Sequence, residues 1–83
     1  MFFTYVIQSI PYPEYYYKGH CQDMENRLKE HNSQKTKSNK HYAPFRIAYF
    51  EQFATREEAI QKEKYWKTAA GRRYLQQFLQ KAP

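Results

Sequence analysis

The spacing of apolar and polar positions changes along this chain, and each change predicts a different element. Residues 2–8 (FFTYVIQ) are aromatic and β-branched with no breaker before Pro11, which is typical of a β-strand. The prolines at positions 11 and 13 require a loop, because each fixes φ and lacks an N–H donor. Residues 15–19 and 46–53 predict a second and a third strand. The short connection between the first two strands favours an antiparallel hairpin.

Three further segments carry the start signals or the spacing of α-helices. Asp23 can cap a helix over residues 24–31, which Asn32-Ser33 would end before a polar, lysine-rich loop. Residues 55–58 (TREE) fit the capping box, so a second helix begins there and runs to about residue 67. Apolar side chains at helical spacing predict a last helix over about residues 70–80. The order ββαβαα predicts a small α/β (α+β) domain with three helices packed on a three-stranded sheet.

Length and composition narrow the class of protein. We expect one domain over residues 1–83, because a chain of 83 residues is short for two. The 9 Tyr, 6 Phe and 1 Trp supply much buried area per side chain, although so many tyrosines exceed what a core needs. A single Cys excludes a disulfide framework, and no apolar run approaches the length of a membrane span. These features predict a basic, cytoplasmic globular domain with no membrane partner.

The positive charge is concentrated in two stretches. The chain carries a formal net charge of +6, and neither residues 31–50 nor the residues after Glu63 contain an acidic side chain. Acid-free basic stretches suit a polyanion, because each Lys or Arg that neutralises a phosphate releases a counterion. A solvated surface on a protein of high pI explains the same charge, so charge alone leaves both interpretations open.

One carboxylate lies on the apolar stripe of the second helix. At 100° per residue from Ala59, Trp66 lies at about −20° and Glu63 at about 40°. A carboxylate there loses hydration unless a cation, a metal or hydrogen bonds replace the water. Glu63 is therefore a candidate metal ligand or partner of an arginine. In the alternative, the helix is turned slightly and Glu63 lies at the rim, paired with Lys67.

Other polar residues flank the predicted core. Arg27 and His31 stand one turn apart beside the apolar stripe of the first helix, where they could bind a phosphate and transfer a proton. The alternative is a surface arginine followed by a histidine that favours the helix C-terminus. Tyr5 and Tyr17 each share a strand face with apolar neighbours, so each is a core residue or a site residue.

In their order and spacing, these residues resemble the GIY-YIG nuclease superfamily, and most closely its small single-domain branch. Lys18 replaces the usual aliphatic residue of the second signature strand, where it faces solvent or touches phosphate. The resemblance covers nearly the whole chain. The segments that carry it are Thr4-Tyr5-Val6, Tyr17-Lys18-Gly19, residues 20–32 (HCQDMENRLKEHN), Tyr49-Phe50-Glu51, residues 55–59 (TREEA) and Lys62-Glu63-Lys64.

The resemblance implies a three-stranded antiparallel sheet and one divalent ion, Mg²⁺ or Mn²⁺, with Glu63 as its only protein ligand. It also implies that Tyr5 positions or deprotonates the nucleophilic water, with Tyr17 and His31 nearby. Arg27 would hold the scissile phosphate. Residues expected to contact the substrate are Gly19, His20, Lys35, Lys37 and Lys64.

The sequence therefore predicts a metal-dependent endonuclease that acts on DNA, with RNA as a second substrate class. A module of the same fold that binds nucleic acid without cleaving it is the alternative, and a structural domain would leave the basic bias unexplained. We expect no separate specificity domain at this length. A homodimer or a partner protein would then provide target choice.

Overall fold

The computed structural model describes residues 1–33 and 39–79 and confirms the order ββαβαα. A three-stranded antiparallel sheet is flanked by three helices, and a single turn of 3₁₀ helix, Lys40–Tyr42, precedes the third strand. Lys35 and Lys37 lie outside the described residues, as does the predicted end of the last helix at residue 80. The elements are β1 (Phe2–Ser9), β2 (Tyr16–Cys21), α1 (Met24–Asn32), β3 (Phe45–Phe53), α2 (Arg56–Trp66) and α3 (Ala69–Leu79).

β1 is the central strand, and the sheet order is β2-β1-β3. Its residues from Thr4 to Ser9 are all buried, because the strand has a neighbour on each side and helices cover both faces. The hairpin predicted between β1 and β2 is present and pairs Tyr5 with Gly19. β2 is therefore an edge strand, and the candidate site residues lie on it or on the elements that pack against it.

Alternate residues of β1 enter two separate cores. Tyr5 and Ile7 pack with Phe45 on the face that α1 covers. Val6 packs with Trp66 and Leu75 on the opposite face, against α2 and α3. Successive side chains of a strand point to opposite faces. The candidate site residues therefore also form two groups, one on each face of the sheet.

The helix ends follow the predicted caps. Asp23 accepts a hydrogen bond from the backbone N–H of Asn26, and Thr55 and Glu58 form both bonds of a capping box. Gly71 allows α2 and α3 to meet, because a Cβ there would lie 1.8 Å from the carbonyl oxygen of Tyr65. Within the described residues, no helix combines the length and hydropathy that crossing a bilayer requires.

Candidate active site

The hydroxyl of Tyr5 is the centre of a buried hydrogen-bond network. Its oxygen lies 3.1 Å from Nε2 of His31, and Nε of Arg27 donates to it over 3.3 Å. Tyr5 is 1% and His31 0% exposed. Gly19 permits this arrangement, because a Cβ at that position would lie 2.6 Å from the Tyr5 hydroxyl oxygen. The network thus depends on a glycine in the neighbouring strand.

Asn39 orients the ring of His31. Oδ1 of Asn39 lies 3.3 Å from Nδ1 of His31, and with the amide in this orientation the tautomer that pairs with it carries its proton on Nδ1. Nε2 is then the acceptor of the Tyr5 hydroxyl. Burial lowers the pKa of His31, and Arg27 opposes its charging further, so the ring is neutral near pH 7. Asn39 could not be identified from the sequence, because a polar loop residue carries no pattern that relates it to a helix.

Arg27 connects this network to the surface. Its side chain is 37% exposed, and Nη1 donates to Oε1 of Glu30 over 2.9 Å. The hydrogen bond to Tyr5 raises the pKa of Arg27, and Glu30 raises it further. The two contacts use only part of the five N–H donors of the guanidinium, so others can bind an anion. Arg27 and His31, predicted to lie side by side, both reach Tyr5.

Tyr17 completes what we call the tyrosine cluster, defined as Tyr5, Tyr17, Gly19, Arg27 and His31. Tyr17 pairs with Ile7 and therefore shares the α1 face of the sheet with Tyr5. Its ring is half-buried, and the centroid lies 5.1 Å from that of His31. Four of the five predicted catalytic residues are thus brought together.

Glu63 lies on the other face of the sheet, in what we call the Glu63 cluster, defined as His20, Glu63 and Lys67. Its side chain is 18% exposed, with Oε1 2.5 Å from Nδ1 of His20 and Oε2 2.8 Å from Nζ of Lys67. Burial raises the pKa of Glu63, but the hydrogen bonds from Lys67 and His20 outweigh burial and hold it below its ordinary value. The pairing with Lys67 that the helix pattern left open is present, and His20 joins it.

The two clusters meet at the edge strand. Gly19 supports Tyr5 on one face, and the next residue, His20, points to the opposite face and contacts Glu63. Among the hydrogen bonds within residues 1–33 and 39–79, none joins Glu63 to the tyrosine cluster. Lys64, also predicted to contact substrate, is exposed on α2 beside Glu63. A site that uses both clusters must wrap around β2.

In the Glu63 cluster, a divalent ion would have one carboxylate ligand, Glu63. In the described part of the chain, no three His, Cys, Asp or Glu side chains are grouped in a way that could hold a metal. The lowered pKa of Glu63 keeps the carboxylate charged, and Lys67 is 57% exposed and free to leave it. A single carboxylate fits Mg²⁺, which keeps several waters and takes further oxygens from a phosphate substrate.

The three-stranded antiparallel sheet and its three helices form a small α/β domain. Residues 1–76 match the family model of the GIY-YIG catalytic domain, and the chain belongs to that family. GIY-YIG domains are in general nucleases that act on nucleic acid and typically use divalent metal ions. Neither a search of the curated proteins nor a search of the solved structures returned a significant match.

Proposed function

We propose that this chain is a metal-dependent endonuclease that hydrolyses phosphodiester bonds in DNA, with RNA as a second substrate class. One catalytic domain would span residues 1–83. The observation that carries the proposal is the convergence of Arg27 and His31 on the Tyr5 hydroxyl, beside the strand that also presents His20 to Glu63. Phosphodiester hydrolysis requires an activated water and compensation of developing negative charge, and these residues supply groups for both.

Arg27 would hold the scissile phosphate. Tyr5 and Glu30 fix the position of its guanidinium, while the partial exposure of the side chain leaves donors for phosphate oxygens. A planar guanidinium can bind two oxygens at once. It stabilises the transition state more than the substrate, because negative charge develops on the phosphate during the reaction. Tyr5 would act on Arg27 as well as on the water, because its hydroxyl accepts a hydrogen bond from Nε of Arg27.

Tyr5 and His31 would carry the proton of the attacking water. Burial raises the pKa of Tyr5 to about 12 even though Arg27 lowers it, so the group is a phenol at neutral pH. It would therefore take a proton from water as its own proton passes to Nε2 of His31, which Asn39 keeps as an acceptor. Tyr17 is less buried than Tyr5 and would hold the water against this pair.

Glu63 would hold Mg²⁺ or Mn²⁺ once Lys67 has moved away. When bound, such an ion supplies charge stabilisation for the leaving oxygen. His20 would keep the carboxylate oriented through Nδ1. Gly19 is buried beneath the ring of Tyr5, so it would act on the substrate only through the position of Tyr5. Lys64, Lys35 and Lys37 would contact flanking phosphates; the last two are assigned from the sequence.

Cleavage of supercoiled and branched DNA in the presence of Mg²⁺ or Mn²⁺ tests this proposal. We expect Glu63→Gln and Arg27→Ala each to lower the rate by at least about 100-fold, as loss of a group that stabilises transition-state charge does. Glu57→Gln is the matched control, because Glu57 is exposed on the same helix and belongs to neither cluster. Cleavage that resists EDTA, or that Glu63→Gln leaves intact, contradicts the assignment.

A module that binds nucleic acid without cleaving it is the second candidate. It is favoured by one observation, that His20 and Lys67 occupy both oxygens of Glu63 on the face opposite the tyrosine cluster. Such a module predicts salt-sensitive DNA binding with no cleavage by the unmodified chain in either metal. The same reactions therefore separate the two candidates.

A further inference from the structure

A groove lies between the edge strand β2 and α3, on the same face of the sheet as the Glu63 cluster. Its volume is about 260 Å³. Lys18 enters it from β2, two residues before His20, so both side chains belong to one face of the strand. We call it the Lys18 groove; its lining residues are Tyr16, Lys18, Arg72, Leu75, Gln76 and Leu79.

The groove is positively charged and lacks an acidic partner. In the part of the chain that the structure describes, no carboxylate lies within 4.0 Å of the charged groups of Lys18 or Arg72. Burial lowers the pKa of Lys18, and the charges of Arg72 and Lys67 lower it further. A half-buried lysine beside two other cations is unfavourable in isolation, and an anion bound between them relieves the repulsion.

We propose that the Lys18 groove binds the sugar–phosphate backbone of DNA where the substrate leaves the Glu63 cluster, with Lys18 and Arg72 contacting its phosphates. This inference rests on the proposed endonuclease function. Arg72 offers a planar fork that matches phosphate oxygens, and the half-buried side chain of Leu79 can pack against a deoxyribose.

The position of the groove sets the path that the bound strand would follow across the protein surface. Lys67 contacts Glu63 at one end, and its charge reaches Lys18 at the other. Positive groups therefore continue from the candidate metal ligand along α3 without interruption by an acidic side chain of the described residues. A strand whose phosphate is held by Arg27 would cross β2 near Gly19 and then follow this groove.

Fluorescence anisotropy of a labelled 20-base-pair DNA duplex with the full chain, in EDTA and at several KCl concentrations, tests the groove. Each phosphate contact contributes roughly 0.9 to the slope of log K against log [salt]. We expect Lys18→Gln with Arg72→Gln to weaken binding about tenfold at low salt and to reduce the slope by about two. The control pair, Lys29→Gln with Arg73→Gln, removes the same charge from exposed positions on α1 and α3.

Equal effects of the two pairs, or no effect of Lys18→Gln with Arg72→Gln, overturn the proposal. So does tighter binding of a glutamate-rich peptide of the same charge, which would indicate a protein partner. In the unmodified protein, DNA must shift the backbone amide resonances of β2 and α3; shifts confined to other elements also overturn the groove. Binding is measured without metal, so it does not depend on cleavage. If the unmodified protein binds DNA but does not cleave it, only the proposed nuclease function is contradicted. If Lys18→Gln with Arg72→Gln leaves binding unchanged, only the proposed binding groove is contradicted.

Discussion

Gly19 is the residue on which the tyrosine cluster depends most directly. Its role concerns space, because the ring of Tyr5 lies where a side chain at position 19 would be. The built Cβ would lie 2.6 Å from the hydroxyl oxygen and 2.8 Å from Cζ of that ring. A core this small cannot absorb such an overlap without moving the group that Arg27 and His31 share.

Gly19→Ala therefore links stability to the site. We expect it to lower the free energy of unfolding by about 1–3 kcal/mol, the usual cost of overpacking, and to reduce cleavage. Adding Tyr5→Phe removes the hydroxyl that causes the shortest overlap, so the double variant should recover part of the stability but none of the cleavage. Urea denaturation measures the first effect. If alanine at position 19 is as stable as glycine, the close contact is wrong.

His31 makes stability depend on pH in a defined window. Its pKa is lowered by burial, so between the lowered value and 6.5 the unfolded chain binds a proton that the folded chain does not. The stabilisation is complete above pH 6.5 and is lost as the pH falls towards the folded pKa, at no more than about 1.4 kcal/mol per pH unit. The lowered pKa values of Glu51 and Glu63 place their titration below 4.5, so these carboxylates stay charged between pH 5.5 and 7.5.

Urea denaturation at pH 7.5, 6.5 and 5.5 checks this expectation. The unmodified protein should lose stability between the last two values. His31→Gln should be less stable throughout but should have a flatter profile, because the titrating group is gone. Parallel profiles would show that another group is responsible.

The candidate site could be predicted from the sequence only where its contacts are local. Arg27 and His31 lie one helical turn apart, and helix geometry alone places them together. The contact of Glu63 with His20 joins residues 43 positions apart, and helix geometry cannot specify it. The helical wheel identified the carboxylate as unusual, but the alternation of β1 determines that it lies across the sheet from Tyr5.

At the scale of elements, the start of α2 shows how strongly a local signal determines structure. The Thr55 hydroxyl accepts from the backbone N–H of Glu58, whose carboxylate accepts from the N–H of Thr55. Both partners lie within four residues, so the tertiary fold is not needed to form the cap. The cap sets where the helix begins and therefore which face carries Glu63.

Thr55→Ala should lower the free energy of unfolding by about 1 kcal/mol, because it removes the hydroxyl that satisfies a free backbone N–H. Thermal or urea denaturation measures the change. Glu57→Ala is the control: it lies in the same first turn but outside the capping box, so it reports only on the charge near the helix N-terminus. An equal loss from the two changes would assign the effect to that charge.

Element boundaries are less predictable where a neighbour decides them. β2 extends to Cys21 rather than ending at Gly19, because Cys21 still pairs with Phe3 of β1. Gly71 lowers the intrinsic propensity of α3, yet the close approach of Tyr65 requires it. In both cases the deciding contact lies in another element, and the sequence around the boundary contains no sign of it.

At the scale of the molecule, one strand serves two cores. Ile7 and Val6 are adjacent in β1, but the first packs towards α1 and the second towards Trp66. A chain of 83 residues has a total stability of roughly 4–12 kcal/mol at the usual value per residue, so neither half can lose much. Since β1 belongs to both, disruption of one face should unfold the other. The tyrosine cluster and the Glu63 cluster would then be lost together.

Ile7→Ala and Leu75→Ala test this coupling from opposite faces. Each opens a cavity in one core and should cost about 3 kcal/mol. The chain has 1 Trp, and Trp66 lies only in the core that contains Leu75, so its fluorescence reports that face alone. We expect Ile7→Ala to shift the Trp66 fluorescence transition and the far-ultraviolet circular dichroism transition to the same lower urea concentration. Unchanged fluorescence with a shifted dichroism signal would mean that the two faces unfold separately and that β1 does not couple them.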